Sequence, residues 1–273
     1  MERTRTLFHW AKWWVQWSRL TALDPASAMA GPMAARVSYA LDWRTVRASL
    51  PRAERDKWVE FLDFGASSTA RKGGGLISVG QLERRASADR RKAIWLAAFS
   101  ASAMADREDG VCILELGTCL GSGAVSLILG AQRQCRYVGL EGSPELARMT
   151  KERIRRAAPG VPIDMHVGPF RDTLPAIVAA DVRFDLVFLD GHHEGRILLE
   201  QWDQIRPRLN EGAWVLVDDI RWSGDMHAAW NVLVGKEDVL AFDLFRIGAL
   251  RCCAPANCPA ESAPRRVPLS LIA

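Results

Sequence analysis

From about Ala86 to Cys253, apolar runs of strand length take turns with segments of helical spacing, and this alternation constrains the fold more than any other feature of the chain. "VCILEL", "RYVGL", "PIDMHVG", "RFDLVFLD" and "GAWVLVDD" read as five strands. The segments around them, such as "ASADRRKAIWLAAFSASAMA", "SPELARMTKERIRRAA" (Ser143 as N-cap, Pro144 in the first helical position) and "GDMHAAWNVLV", read as helices. Parallel strands need a crossover, and a helix is the usual one, so the pattern predicts an α/β, mostly parallel sheet covered by helices on both faces. "VLAFDLF" and "IGALRCC", joined by "RIG", add an antiparallel hairpin at the end. Three parts follow: an N-terminal helical extension and loop over 1–80, the α/β domain over 81–253, and a Pro-rich tail over 254–273.

The 273 residues suit one such domain with additions, and 49% hydrophobic residues are enough to build its core. Thirty-six basic against 32 acidic residues leave a net charge of +4, too small and too dispersed to point to nucleic acid. No apolar run reaches the ~18 residues of a membrane span, and no signal-peptide core follows the start. The six cysteines lack both secreted-type spacing and a complete zinc set, which suggests reduced thiols and a cytoplasmic protein. In the first 20 residues, Trp10, Trp13, Trp14 and Trp17 form a one-sided helical stripe. It is expected to serve as core packing, as a homo-oligomer contact or as a peripheral membrane contact, the last disfavoured because only Lys12 and Arg19 supply charge on the helix itself. "FLDFGASSTARKGGGLISVG" reads as a loop, a candidate lid.

In an open α/β sheet, ligands bind beyond the carboxyl ends of the strands. The strand-end stretches are Glu115–Gly123, Glu141, Gly168–Phe170, Asp190–His193 and Asp218–Asp219, and four of the five carry an acid. "LELGTCLGSG" is neither the dinucleotide G-x-G-x-x-G nor a phosphate loop. Glu141, ending the second strand, suits two ribose hydroxyls, which NAD and S-adenosylmethionine both carry. Glu115, just before the glycine turn, would repel a pyrophosphate and attract a cationic sulfonium, which favours the methyl donor.

Together, "ILELGTCLGSG", "YVGLEGSP", "FDLVFLDGHH" and "VLVDDIRWSG" resemble the class I S-adenosylmethionine-dependent methyltransferases, and most of all their catechol- and caffeoyl-type small-molecule O-methyltransferases. The resemblance covers Ala86 to Cys253 and implies a Rossmann-like seven-stranded sheet with an antiparallel C-terminal hairpin. It implies that Glu115, Gly117, Thr118 and Gly121 surround the methionine part of the cofactor, Glu141 and Gly142 the ribose, and Gly168, Pro169 and Phe170 the adenine, with Asp190 close by. In the cation-dependent members an Asp ends the fourth strand, an Asp-Asn pair ends the fifth, and a lysine three residues after the first Asp takes the hydroxyl proton. The matching positions here are Asp190, Asp218–Asp219 and His193. Asp190, Asp218 and Asp219 are thus candidate ligands for Mg²⁺ or another divalent cation, and His193 and Asp190 the candidate catalytic residues.

The expected activity is methyl transfer to an oxygen of a small-molecule acceptor. The alternatives are a methyltransferase-like protein that binds cofactor or partner without catalysis, and an NAD-dependent oxidoreductase, which the glycine spacing disfavours. An ordinary reading of Asp218 or Asp219 is a cap for the next helix. Trp202, Trp214, Trp222 and Trp230 read as packing residues, with Trp222 the exception because it follows the fifth strand end directly.

Overall fold

The computed structural model describes residues 43–61, 75–105, 107–253 and 265–266. The tryptophan stripe near the N-terminus, residues 62–74 of the candidate lid and most of the tail lie outside them. The two ends of that lid stretch are not loop, because Phe61 closes a strand, Gly75–Ser78 pair with it as a second strand, and Val79 and Gly80 open a helix. The described chain opens with α1 (Trp43–Ala48), α2 (Arg52–Arg55), β1 (Trp58–Phe61), β2 (Gly75–Ser78), α3 (Val79–Ala86) and α4 (Arg90–Ala105). The alternating region then runs β3 (Val111–Leu116), α5 (Ser122–Gly130), β4 (Cys135–Glu141), α6 (Pro144–Ala157), β5 (Ile163–Val167) and α7 (Phe170–Ala179). It continues through β6 (Phe184–Leu189), α8 (Gly195–Ile205), β7 (Leu209–Val217), α9 (Gly224–Val234), β8 (Val239–Leu244) and β9 (Ile247–Cys252).

Seven strands form one sheet in the order β5-β4-β3-β6-β7-β9-β8, and the two-residue β10 (Arg265–Arg266) pairs with β8 at the edge. β5 to β7 are mutually parallel, while β9 runs antiparallel to both β7 and β8. Strand order reverses at β3 and β6, so a crevice opens beyond their carboxyl ends.

Alternation along the strands divides the core in two. Val111 and Ile113 of β3 join Phe99 of α4, Ile128 of α5 and Ile154 of α6 on one face. Leu114 and Leu116 join Leu174 of α7, Trp202 of α8 and Trp230 of α9 on the other. Trp202, Trp214 and Trp230 are buried in these cores, as packing residues should be.

The segment before α4 forms no core of its own. Leu50, Val59, Ile77 and Leu82 pack on Leu120 of the glycine turn and on Leu146 and Met149 of α6. Arg153 of α6, 2% exposed, ties it down by donating to Ser49 Oγ at 2.8 Å, Val46 O at 2.9 Å and Leu120 O at 3.0 Å. Ser143 is the N-cap residue of α6, and its hydroxyl donates to Glu60 O at 3.1 Å rather than capping the helix. Cys112, Cys119, Cys135 and Cys252 are free thiols, but Cys253 is disulfide-bonded, which corrects the expectation of a fully reduced set. Among the described residues no helix is long and apolar enough to cross a membrane.

Candidate functional site

The parallel ladder continues one residue past each strand and so sets the strand ends in a row. Gly117 N–H donates to Leu140 O, Gly168 N–H to Glu141 O, Asp190 N–H to Leu116 O and Asp218 N–H to Leu189 O, each at 2.9 Å. Beyond this row lies a cavity of about 410 Å³, a volume suited to a drug-sized ligand. Gly117, Glu141, Gly142, Gly168, Pro169, Phe170, Asp190, His193, Asp218 and Asp219 all line it.

One end of the cavity is built around Glu141. Its Oε2 accepts from Cys119 N–H at 2.7 Å and its Oε1 from Ser143 N–H at 3.0 Å. Burial raises its pKa, while these backbone donors oppose the shift. Gly117, at φ +91°, lies where a Cβ would sit 2.6 Å from Asp190 O, so only glycine lets β3 and β6 close together here.

Three candidate cofactor residues do not line the cavity. Glu115 lies on the inner face of β3, opposite Gly139, and accepts a hydrogen bond from the Tyr137 hydroxyl. Burial pushes its pKa up to about 8, so the carboxyl is largely neutral at pH 7 and cannot act as the anion that attracts a sulfonium. Thr118 is buried, its hydroxyl donating to Thr150. Gly121 caps α5 in the left-handed region at φ +75°, its Cα side packed against Thr150. These residues shape the turn from behind.

The other end holds the acidic strand ends, and here the structure departs from the expected convergence of three carboxylates. Lys92 of α4 places its ammonium 2.7 Å from Asp190 Oδ2 and 2.7 Å from Asp218 Oδ2. Asp219, at φ +47°, instead accepts from Arg246 Nε at 3.1 Å. Burial opposes the charge on Lys92, but the two carboxylates outweigh it and hold its pKa above the ordinary value. Burial and the adjacent Asp218 raise Asp190. Against its own burial, Lys92 keeps Asp218 below the usual range. Neither Asp218 nor Asp219 caps a helix, since Ser223 Oγ accepts from Met226 N–H to cap α9.

His193 sits beside Trp222, ring centroids 5.3 Å apart, and Trp222 lines the cavity at 43% exposure. Burial lowers the pKa of His193, so the imidazole is neutral at pH 7. Its Nδ1 is buried without a hydrogen-bond partner, as is Asp218 Oδ1. Sequence reasoning missed Lys92. Its helix was legible, but nothing local distinguished it from Arg90 and Arg91 beside it.

Residues 114–220 match the family model described as "Methyltransferase domain". A curated catechol O-methyltransferase from Mycobacterium tuberculosis is 34% identical over 116 residues, covering 42% of this chain and 51% of that protein. The chain thus spans about half the length of the curated relative it matches. Among solved structures, an O-methyltransferase of tomaymycin synthesis from Streptomyces achromogenes, in complex with SAM, has a TM-score of 0.53 at 20% identity, covering 64% of this chain and 86% of that one. An O-methyltransferase from Bacillus cereus, in complex with SAH, has a TM-score of 0.52 at 14% identity, covering 87% and 94% respectively. At these identities the solved structures speak to the fold, and it is the same seven-stranded sheet.

Proposed function

We propose that this chain, which belongs to the class I S-adenosylmethionine-dependent methyltransferases and within them resembles the catechol and caffeoyl-CoA O-methyltransferase branch, transfers a methyl group to an oxygen of a small molecule. The observation that carries the reading is Glu141, a buried carboxylate held by two backbone N–H groups at the rim of the crevice between reversed strands. The residues present fit S-adenosylmethionine. Glu141 would take the ribose hydroxyls, Phe170 would lie against the adenine, and Gly117 would leave room for the methionine end. When bound, that cofactor supplies an electrophilic methyl carbon on a sulfonium.

The chain's own task is then to position the acceptor oxygen in line with that carbon and to remove one proton. His193 suits the proton, being neutral and in the cavity wall. Trp222 beside it offers a flat apolar face to an aromatic acceptor. A small-molecule acceptor fits the cavity, and a cytoplasmic location is consistent with such a substrate. A divalent cation fits less well. One oxygen of each of the two carboxylates that would bind it is already engaged by the Lys92 ammonium, and the third carboxylate is turned to Arg246.

Calorimetry on Glu141→Ala should show S-adenosylmethionine binding weakened by about 1.5–3 kcal/mol, the worth of hydrogen bonds to a charged group. His193→Ala should bind cofactor normally and lose roughly 10²-fold or more in kcat. Unchanged affinity in the first variant removes the ribose assignment. A full-rate second variant leaves a methyltransferase that works by positioning alone. Binding without turnover across phenol, catechol, acid and amine acceptors would identify a non-catalytic binding protein instead.

A further inference from the structure

We propose that the Lys92 ammonium occupies the cation seat between Asp190 and Asp218, so that this chain carries out its chemistry without a divalent metal. The inference rests on the methyltransferase reading above and deepens it.

The geometry is a symmetric bridge, with both N–O distances at 2.7 Å and the three side chains only 12%, 19% and 3% exposed. Phe188 closes the seat, its ring centroid 5.2 Å from Nζ. A magnesium ion needs oxygens at about 2.0–2.1 Å in an octahedron, and it cannot share two carboxylates with an ammonium already at hydrogen-bond distance. To enter, it would have to expel a buried, charged lysine from both of its carboxylate partners.

Lys92 is also held where it is by the helix. Its backbone N–H donates to Asp89 Oδ1 at 2.8 Å, so it lies in the first turn of α4. A cation is disfavoured there by the helix dipole, and the two strand-end carboxylates are what offset this. The face of α4 that follows, from Ala93 to Phe99, is buried in the core and leaves the first turn little freedom to retreat. Asp218 Oδ1 is buried beside the bridge and lacks a hydrogen-bond partner.

The test is an electron paramagnetic resonance titration with Mn²⁺ alone, alongside S-adenosylmethionine calorimetry on the same samples. Wild type should leave Mn²⁺ free in solution, while Lys92→Ala, its carboxylates released, should take up one Mn²⁺ per chain. Uptake of one Mn²⁺ by wild type that Asp218→Asn abolishes overturns the proposal. So does a folded Lys92→Ala that binds cofactor but no Mn²⁺. If Lys92→Ala does not fold, the wild-type and Asp218→Asn titrations decide alone. Loss of cofactor binding in wild type would instead defeat the methyltransferase reading and leave the manganese result standing.

Discussion

Glu115 shows how far a residue's meaning can depend on which way it points. In the sequence it is an acid before a glycine turn, which reads as a charge addressed to a ligand. The pleat of β3 decides otherwise. Residues 111, 113 and 115 share one face, and that face is the core against α4 and α5. The carboxyl is therefore neutral, partnered by Tyr137, and packed under Gly123, where a Cβ would come within 2.5 Å of Oε1. Only the register of β3 against β4 brings Tyr137 to it, and register is not written locally. The shift carries a stability consequence. Glu115 keeps its proton up to about pH 8 in the folded chain, against a reference value of 4.5. Between those values the native state holds a proton that the unfolded chain has lost, so stability falls as pH rises through this window, by up to roughly 1.4 kcal/mol per unit. Glu115→Gln keeps a hydrogen-bonding partner for Tyr137 without titrating. Urea midpoints at pH 5 and pH 8 should therefore drop less in the variant than in wild type. Equal drops would mean that Glu115 ionises freely in the fold.

At the scale of elements, the strands and helices from β3 to β9 were legible because each carries its own period and its own punctuation. "GDMHAAWNVLV" is α9 to the residue, and "VCILEL" is β3. That Gly117, Glu141, Asp190 and Asp218 line one cavity was legible because a parallel sheet puts its strand ends at one edge. What could not be seen was the docking of residues 43–61 and 75–86 on α6. That contact depends on Arg153, which in the sequence is one basic residue in "KERIRRA" and by helical spacing indistinguishable from a solvated one. Burial lowers its pKa to about 10, yet it spans Ser49, Val46 and Leu120 with three hydrogen bonds. Arg153→Leu removes the donors and leaves buried carbonyls unpaired, so the expected loss is about 3 kcal/mol in urea unfolding. Amide exchange around Val46–Leu50 should accelerate more than exchange in β6 or β7. A uniform change across the chain would show that this segment is not held separately by Arg153.

Across the whole molecule, the sheet separates two tasks by strand. The ends of β3, β4 and β5 hold Gly117, Glu141 and Gly168, the groups suited to a nucleoside. The ends of β6 and β7 hold Asp190, His193 and Asp218, the groups suited to an acceptor. The switch between β3 and β6 sets the two halves side by side, so under the proposed reaction a donor and an acceptor would meet above Asp190. α4 then crosses from outside the strand pattern and places Lys92 in the acceptor half. This changes what an acceptor gains by carrying a second oxygen. A divalent ion with free coordination sites would grip two neighbouring oxygens at once. An ammonium that already donates to two carboxylates has one N–H left, enough for one oxygen. A catechol should therefore outperform a monophenol of the same shape by no more than about a hundredfold in kcat/KM, the worth of one additional hydrogen bond to a charged group. Paired assays on a catechol and its singly hydroxylated analogue read this directly. A preference of a thousandfold or more for the catechol would mean that two oxygens are gripped together, and that the cation beside Asp190 and Asp218 during turnover is not the Lys92 ammonium.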